Sequence, residues 1–207
     1  MLKYIDMASN PTMDSNSLDR YVGKASIHGY AVLAIEGLDS YKVFNGVQLI
    51  PRISFKFNEL GREVLMKREC IKILRSDSLE DLKITNAVKK VAHAIELGHE
   101  LLRSMDRKAL KKLVNAGKPV IINLRDVIRL INLNAPVLGL LLLLRYYERG
   151  RISLVVGSGA REEHELLHPI TVCSFLVSLG LSEAKALSSV SINPLSVMRS
   201  AGYDILR

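Results

Sequence analysis

The sequence predicts an α/β fold in which about seven parallel strands alternate with helices and form a small or incomplete (β/α)-barrel. Three observations support this prediction. Seven short apolar runs recur along the 207 residues, segments with helix start signals lie between them, and glycines end several of those segments. Strands that alternate with helices of this length indicate βα units and a parallel sheet. The pattern suits a barrel better than an open doubly wound sheet, although periodicity alone does not separate the two.

The seven predicted strands are rich in β-branched and aliphatic residues. They are residues 4–7, 31–35, 47–55, 71–74, 91–97, 120–124 and 152–156. We expect disorder or variation in two places, residues 14–19 and the loop 37–46. The sequence contains no internal repeat, low-complexity tract or linker, so we expect residues 1–207 to form a single domain.

Helix signals fill the intervals between these strands. Ser78 stands at the start of a capping-box-like Ser-Leu-Glu-Asp sequence. The other predicted helices share a capping residue or a proline at the start and a glycine after the end. They are residues 105–116 after Ser104, residues 136–149 after Asn134, a helix from Pro169 to Gly180, and one from Pro194, capped by Asn193, to Gly202.

Composition and segment lengths indicate what the chain needs in order to fold and in which compartment it works. A chain of this length buries about seven-tenths of its unfolded surface, so it needs no disulfide or metal to fold. Cys70 and Cys173 are far apart and lack C-x-x-C spacing, which indicates a reducing, intracellular setting. The N-terminus has no apolar core of signal-peptide length, so we expect a cytoplasmic protein. The apolar run 136–144 is shorter than the roughly 20 residues of a membrane span and predicts a buried helix.

The positive charge is concentrated in the middle of the chain. Residues 1–51 contain 4 basic and 5 acidic side chains, residues 52–125 contain 17 and 9, and residues 126–207 contain 8 and 7. The net charge of +8 therefore originates in the middle segment. A regional surplus of this kind favours a polyanionic partner such as RNA.

The predicted helix 105–116 has a basic face. Arg107, Lys108, Lys111 and Lys112 share one side of it, and leucines occupy the other. This face can follow an RNA backbone, with counterion release at each phosphate contact. A solvated helix face explains it equally well. Aromatic residues are sparse, which argues against base stacking as the main binding mode.

Further candidates follow predicted strands. A Gly-Ser-Gly-Ala turn that contains Ser158 comes after the last strand, where phosphate groups often dock in (β/α)-barrels, and Arg161 follows it. Such a turn is also a common flexible loop. Arg75 and Arg125 stand at the ends of earlier strands. Arg125 is the principal candidate for an RNA contact, and the alternative is a salt bridge to Asp126 or to another strand-end carboxylate.

The string HELLH at residues 164–168 matches the H-E-x-x-H motif of zinc metallopeptidases. Pro169 removes the amide that would bond the carbonyl of Glu165, and it biases His168 away from the α conformation. The helix would therefore break at the second ligand, and no later histidine supplies a third. We predict a polar loop that ends with His168 capping the next helix.

Other catalytic motifs are sparse. The sequence has no G-x-S-x-G, P-loop or G-x-G-x-x-G motif, and His28 and His93 are isolated. His99 follows the fifth predicted strand and either faces the strand-end surface or is structural. We therefore predict no catalytic residue, no metal ligand and no cofactor in this chain.

Five segments between about residues 119 and 200 resemble a known family. They are PVIINLRDV (119–127), RYYER (145–149), LVVGSGA (154–160), HPITV (168–172) and LGLSEAKALSSVSINPLSVMR (179–199). Together they resemble the archaeal ribonuclease P protein component 3 family, the counterpart of the eukaryotic thirty-kilodalton subunit of that enzyme. The order of elements from Lys3 onward is compatible with this family, and residues 10–60 match it weakly.

The resemblance implies a TIM-barrel-like fold, related to the polymerase-and-histidinol-phosphatase (PHP) barrel of metal-dependent phosphoesterases. It also implies a subunit of ribonuclease P, the tRNA-processing ribonucleoprotein endonuclease that removes the 5′ leader from precursor tRNA. In that family the RNA carries the catalytic centre, so the isolated chain is expected to be non-catalytic. The implied partners are ribonuclease P RNA, precursor tRNA, protein component 2 and the other protein subunits, and the implied role is to support RNA folding and holoenzyme assembly.

The PHP relationship leaves one alternative, a metal-dependent phosphoesterase that acts alone. Those enzymes have an H-x-H pair at the end of the first strand. This chain has Asp6, Met7 and Ala8 there. The first pair of metal ligands is therefore missing, which argues against hydrolysis of phosphoesters by this chain alone.

Overall fold

A computed structural model describes residues 3–11, 14–67, 69–82, 84–135 and 137–204. Its strands are β1 Tyr4–Ser9, β2 Tyr30–Glu36, β3 Lys42–Phe44, β4 Val47–Phe55, β5 Ile71–Ser76, β6 Ala94–Leu97, β7 Val120–Asn123 and β8 Leu154–Gly157. Its helices are α1 Ser15–Ile27, α2 Arg62–Met66, α3 Asn86–Val91, α4 His99–Ser104, α5 Arg107–Ala116, α6 Leu124–Asn132, α7 Leu138–Glu148, α8 Pro169–Ser178, α9 Glu183–Val190 and α10 Ile192–Ser200. Short 3-10 helices cover Phe57–Glu59 and Glu163–Glu165.

Seven parallel strands form a nearly closed barrel flanked by helices, in the order β1-β2-β4-β5-β6-β7-β8. The fold is therefore TIM-barrel-like, as predicted. The strand β3 stands outside this series and pairs antiparallel with the first half of β4. All three of its side chains are exposed.

The two ends of the sheet, β1 and β8, approach each other, and hydrogen bonds from the loop after β8 link them. The Asp6 carboxylate of β1 accepts hydrogen bonds from the backbone N–H of Ser158, at 3.0 Å, and from the Ser158 hydroxyl. The Asn10 N–H donates to the Ala160 carbonyl at 3.0 Å. Gly157 permits this approach, because a methyl group there would overlap the Cβ atom of Ala8.

The barrel interior changes character along the strands. Nearest the N-terminal ends the inward-facing side chains are apolar; they include Val32, Ala34, Ile50, Ile71, Ile73, Ala94, Ile121 and Val155. Alternate residues of a strand face the same side, so the residue two positions later also points inward. Those later residues are Glu36, Arg52, Arg75, Glu96 and Asn123, and all five line a cavity. The period-2 pattern thus places a polar layer at the C-terminal end of the barrel.

The outer layer of helices covers the other faces of the strands. One cluster packs α3 to α9 against β5 to β8, with Leu110, Leu143 and Leu176 fully buried. A second cluster packs Tyr21 and Val22 of α1 against β2 and β4. At the N-terminal end, side chains of α10 join the apolar interior of the barrel. No helix in the described part of the chain is long and apolar enough to cross a bilayer.

The predicted strands match the seven barrel strands closely. Residues 47–55 are correct at both ends, and the fifth run is shorter than predicted because Val91 ends α3. The two segments expected to be disordered or variable are ordered. Asp14 caps α1 by accepting from the Ser17 N–H at 3.0 Å, and residues 37–46 contain β3.

Several predicted helix starts are wrong. The Ser78 hydroxyl accepts from the Asp81 N–H, but residues 79–81 form only a turn. The basic helix begins after Asp106, which accepts from the Ala109 N–H at 2.7 Å, and not after Ser104, which ends α4. The last helix begins at Ile192, so Asn193 is not its cap. Pro136 lies outside the described residues, and its helix is described from Leu138.

Candidate functional site

A cavity of about 830 Å³ opens at the C-terminal ends of the parallel strands. Its lining includes five arginines and three carboxylates. These are Arg52, Arg75, Arg125, Arg129 and Arg161, with Glu36, Glu96 and Asp126. The loops at this end of a (β/α)-barrel are where such folds build their ligand sites. The cavity is therefore the candidate functional site.

A buried ion pair between Arg52 of β4 and Glu96 of β6 forms the floor of this cavity. The two side chains are 6% and 1% exposed. Arg52 also donates through Nη1 to the Met7 carbonyl at 2.6 Å, and its Nε lies 3.3 Å from Oε2 of Glu36. Because each charge has further polar partners, the pair offsets much of its desolvation cost. We assign the floor a structural role.

Arg75 of β5 connects the floor to the open part of the cavity. Its Nη1 lies 3.7 Å from Oε1 of Glu96, and its Nε lies 3.3 Å from Oδ1 of Asp77. Lys56 also contacts Asp77, at 3.2 Å. The Arg75 side chain is 43% exposed, so its guanidinium reaches the cavity although two carboxylates hold it. The structure thus places this predicted residue at the site.

Arg125 lies in the first turn of α6, just beyond β7, and not at the end of the strand as predicted. Its N–H donates to the Ser158 carbonyl at 3.1 Å, which ties α6 to the loop after β8. Its Nη2 lies 3.4 Å from Oε1 of Glu165. Arg125 therefore forms a salt bridge, but its partner is Glu165 of the loop after β8 and not Asp126 or a carboxylate at a strand end. Burial raises the pKa of the neighbouring Asp126 carboxyl.

Ser158 lies at the junction of β1 and β8 and is only 8% exposed. Its hydroxyl donates to Asp6 and accepts from the Ala160 N–H at 3.0 Å. The hydroxyl therefore serves closure of the barrel. A contact between Ser158 and RNA stays a prediction, and it would require the hydroxyl to leave these partners.

Arg161 stands on a loop that three contacts hold in place. The Tyr21 hydroxyl donates to the Ala160 carbonyl at 3.5 Å, and the Tyr30 hydroxyl donates to the Leu167 carbonyl at 3.0 Å. The Arg161 N–H donates to Oε2 of Glu165 at 2.7 Å. These contacts fix the backbone from which the Arg161 side chain extends into the cavity lining.

Arg129 and Arg161 carry positive charges at the cavity mouth that no ion pair neutralises in the described residues. Both residues are exposed. Within the described part of the chain, neither guanidinium has an ion-pair partner. The mouth therefore has two arginines whose charge is available to an anion. We call Arg125, Arg129 and Arg161 the mouth arginines.

The predicted lysines of α5 form a separate basic surface in the outer layer. Lys108 and Lys111 are exposed, as is Arg107. Lys112 is half-buried, and its Nζ lies 3.2 Å from the Leu79 carbonyl oxygen and 3.4 Å from that of Leu82. The described cavity lining includes no residue of α5. The structure therefore divides the sequence candidates into two surfaces.

The HELLH segment is confirmed as a loop and a helix cap. Residues 163–165 form a 3-10 turn, and the Nδ1 of His168 accepts from the Ile170 N–H at 3.2 Å. His164 is exposed beside Glu162, while Glu165 pairs with the Arg125 guanidinium and accepts a hydrogen bond from the backbone N–H of Arg161. In the described residues, no three His, Cys, Asp or Glu side chains come together as metal ligands.

Sequence reasoning missed several polar residues of the site, among them Glu36, Arg52, Glu96, Asn123 and Arg129. Arg52 and Glu96 each interrupt a predicted apolar strand, and a charge inside such a run is a signal of a buried, paired group. Arg129 follows Arg125 by four residues, which on a helix places both on one face. Because Arg125 was predicted to end a strand, its helical spacing to Arg129 was not recognised. His99 lines the cavity, as one of its two interpretations held.

No family model matches the sequence, and no curated protein matches it. Among solved structures, the chain is similar to a chain in the cryo-EM structure of archaeal ribonuclease P with mature tRNA. The TM-score is 0.67 at 13% identity, over 96% of this chain and 91% of that chain. The crystal structure of A. niger ochratoxinase gives a TM-score of 0.45 at 16% identity, over 92% of this chain and 45% of that one. At 13% identity, the first similarity establishes a shared fold.

Proposed function

We propose that this chain is a protein subunit of ribonuclease P, the ribonucleoprotein endonuclease that removes the 5′ leader from precursor tRNA. One observation carries the proposal. The chain matches almost the full length of a chain in an archaeal ribonuclease P structure that contains mature tRNA. The resemblance of residues 119–200 to the component 3 family supports the same assignment from the sequence.

In this proposal the chain binds RNA and protein partners, and the RNA carries the catalytic centre. Its partners are ribonuclease P RNA, precursor tRNA, protein component 2 and the other protein subunits, in the cytoplasm. A net charge of +8 and an arginine-lined cavity support binding to a polyanion. Binding of this kind stabilises the folded RNA and the assembled enzyme.

Two surfaces are candidates for the RNA contact. The first contains Arg75, Arg125 and Arg161 at the cavity, with Ser158 behind them. The second contains Lys108 and Lys111 on α5, where both side chains are exposed. Lys112 is the weakest of the proposed contacts, because two backbone carbonyls already accept hydrogen bonds from its ammonium group.

The alternative, a metal-dependent phosphoesterase that acts alone, is not favoured. Asp6 stands where those enzymes have their first ligands, and its two oxygens accept hydrogen bonds from Ala8, Ser9 and Ser158. Glu36 and Glu96 of the cavity are paired with Arg52. These two carboxylates therefore serve to hold an arginine.

Reconstituted cleavage of precursor tRNA tests the proposal. The RNA and the remaining protein subunits are assembled with and without this chain, and the cleavage rate is measured at limiting Mg²⁺. We expect the chain to raise the rate and, alone, to cleave nothing. A rate that is the same with and without the chain would contradict the assignment. Turnover of a generic phosphoester by the isolated chain with added Mn²⁺ or Zn²⁺ would favour the alternative.

A further inference from the structure

The cavity at the C-terminal end of the barrel is blind. Its floor is the Arg52–Glu96 pair, and below this pair the interior is filled by apolar side chains such as Ile73 and Ile121. A ligand must therefore enter and leave through the same mouth. A continuous polymer strand cannot pass through such a cavity, whereas a small molecule or the end of a strand can enter it.

The mouth brings several guanidinium groups to one place. The loop after β8 packs against the start of α6, since a Cβ atom on Gly159 would lie 3.0 Å from that of Asn123 and 3.1 Å from that of Arg125. Gly159 also has a φ of +65°, which favours glycine. This close packing sets Arg161 of the loop beside Arg125 and Arg129 of α6 at one mouth.

A buried acceptor in the cavity wall also lacks a partner. The Oδ1 atom of Asn123 is shielded from solvent, and none of the described residues donates a hydrogen bond to it. Its Nδ2 donates to Glu96 at 3.1 Å, which fixes the direction of the amide. An acceptor left in this state costs free energy unless a donor reaches it, and a hydroxyl group of a ligand is such a donor.

We propose that the cavity binds a nucleotide through a phosphate monoester, either as a free mononucleotide or as the terminal nucleotide of an RNA. A volume of about 830 Å³ suits a ligand of this size. A phosphate monoester carries about two negative charges near neutral pH, which matches the two unpaired guanidiniums of Arg129 and Arg161. Planar guanidinium groups bind phosphate oxygens in pairs.

The ribose hydroxyls supply the donors that the wall requires. In the proposed complex a small displacement of the Asn123 side chain exposes its Oδ1, which is shielded without a ligand, and one ribose hydroxyl donates to it while the phosphate stays at the mouth arginines. The preference for a phosphate monoester rests on the cavity alone. The choice of a nucleotide among phosphate monoesters rests on the proposed function.

Calorimetric titration of the full chain with AMP and with adenosine tests the site. We expect AMP to bind and adenosine to show no measurable binding. Arg161→Gln and Arg129→Gln should each weaken AMP binding by about tenfold. Arg199→Gln, an exposed arginine of α10 at the other end of the barrel, is the matched control and should leave AMP affinity unchanged. Absence of AMP binding, or equal losses in all three variants, would overturn the proposal.

Short single-stranded RNAs that differ only in a 5′-phosphate or a 5′-hydroxyl identify the source of the ligand. Tighter binding of the phosphorylated RNA, lost in Arg161→Gln, supports the terminal nucleotide of an RNA. AMP binding with no preference between the two RNAs supports a free nucleotide. AMP binding and reconstituted cleavage are independent measurements. A chain that stimulates cleavage but binds no AMP refutes the nucleotide site and leaves the subunit role intact, and the reverse result refutes only the subunit role.

Discussion

The two ends of the barrel have opposite chemistry. At the N-terminal end, Val197 and Met198 of α10 pack with Ile5 and Ile71 in a fully buried apolar cluster. At the C-terminal end, the same strands present arginines and carboxylates to an open cavity. The change occurs over two residues of each strand, which is about 7 Å. One set of strands therefore supplies the buried core at one end of the barrel and the candidate binding surface at the other.

The floor of the cavity lies at the boundary between these ends. Arg52 and Glu96 have the residue types of a binding site, but their burial and multiple partners are those of a core. We therefore expect substitutions at the floor mainly to lower the free energy of unfolding. Substitutions at the mouth should act on binding first.

The largest effect is expected for Arg52→Met. The substitution leaves Glu96 buried without its principal partner, and we expect the free energy of unfolding to fall by about 3–5 kcal/mol. Urea unfolding measures the loss. The control is Arg129→Met at the mouth, which should change stability by less than about 0.5 kcal/mol. Similar losses in both variants would break the distinction between floor and mouth.

Met198→Ala tests the N-terminal end of the barrel. Met198 is fully buried, and its truncation should cost about 2–5 kcal/mol through lost burial and the cavity that remains. Ile192→Ala removes an apolar side chain of the same helix that is 59% exposed, and it should cost much less. RNA affinity of the folded Met198→Ala protein should equal that of the wild type. A specific loss of RNA binding would contradict the separation of the two ends.

His93 makes stability depend on pH. Its Nδ1 accepts from the Lys72 N–H at 3.0 Å, and burial, with Lys118 and Lys72 nearby, lowers its pKa from 6.5 to about 4. The unfolded chain thus takes up this proton at higher pH than the folded one, so the stabilising difference is complete above pH 6.5 and is lost as pH falls toward 4.

Urea unfolding at pH 7 and pH 5 measures this loss, and His93→Gln should reduce the difference between the two. His164, whose side chain is 73% exposed, provides the control. His164→Gln should retain the pH dependence of the wild type. Equal pH dependence in wild type and His93→Gln would remove His93 as the cause.

A small effect on stability is expected for Arg125→Ala. The lost salt bridge to Glu165 is part-exposed and should contribute at most about 1 kcal/mol. RNA affinity should fall, and the slope of log affinity against log salt should decrease by about one unit if a phosphate contact is lost. Arg199→Ala should leave that slope unchanged. An unchanged slope together with unchanged reconstituted cleavage would contradict the role of Arg125.

The regular part of the fold could be predicted because burial imposes a period on the sequence. The runs of apolar residues located all seven barrel strands, and glycines such as Gly117 and Gly180 marked helix ends where φ is positive. The helix α1 was missed because its start is polar and resembles a loop, although Asp14 and Ser17 form a cap. The strand β3 was missed because three exposed residues have no burial pattern.

The site could be predicted in part. Arg75, Arg125 and Arg161 were grouped because the C-terminal ends of parallel strands meet at one face, and the structure does bring them to one cavity. Their partners could not be predicted. Glu165 reaches Arg125 from a different loop, and Glu96 reaches Arg75 from the neighbouring strand. Lys112 was grouped with Lys108 and Lys111 on helical spacing, but a loop carbonyl decides its environment.

The sequence alone was sufficient to predict the alternation of strands and helices, the surplus of positive charge, the end of the barrel at which arginines gather, and the loop and helix cap at residues 164–168. Each of these properties depends on residue type and on spacing along the chain. Which of the charges are neutralised, and that two mouth arginines remain unpaired in the described residues, became clear only from the tertiary structure. The physical reason is that ion pairing and burial depend on distances between residues far apart in sequence, which local spacing does not specify.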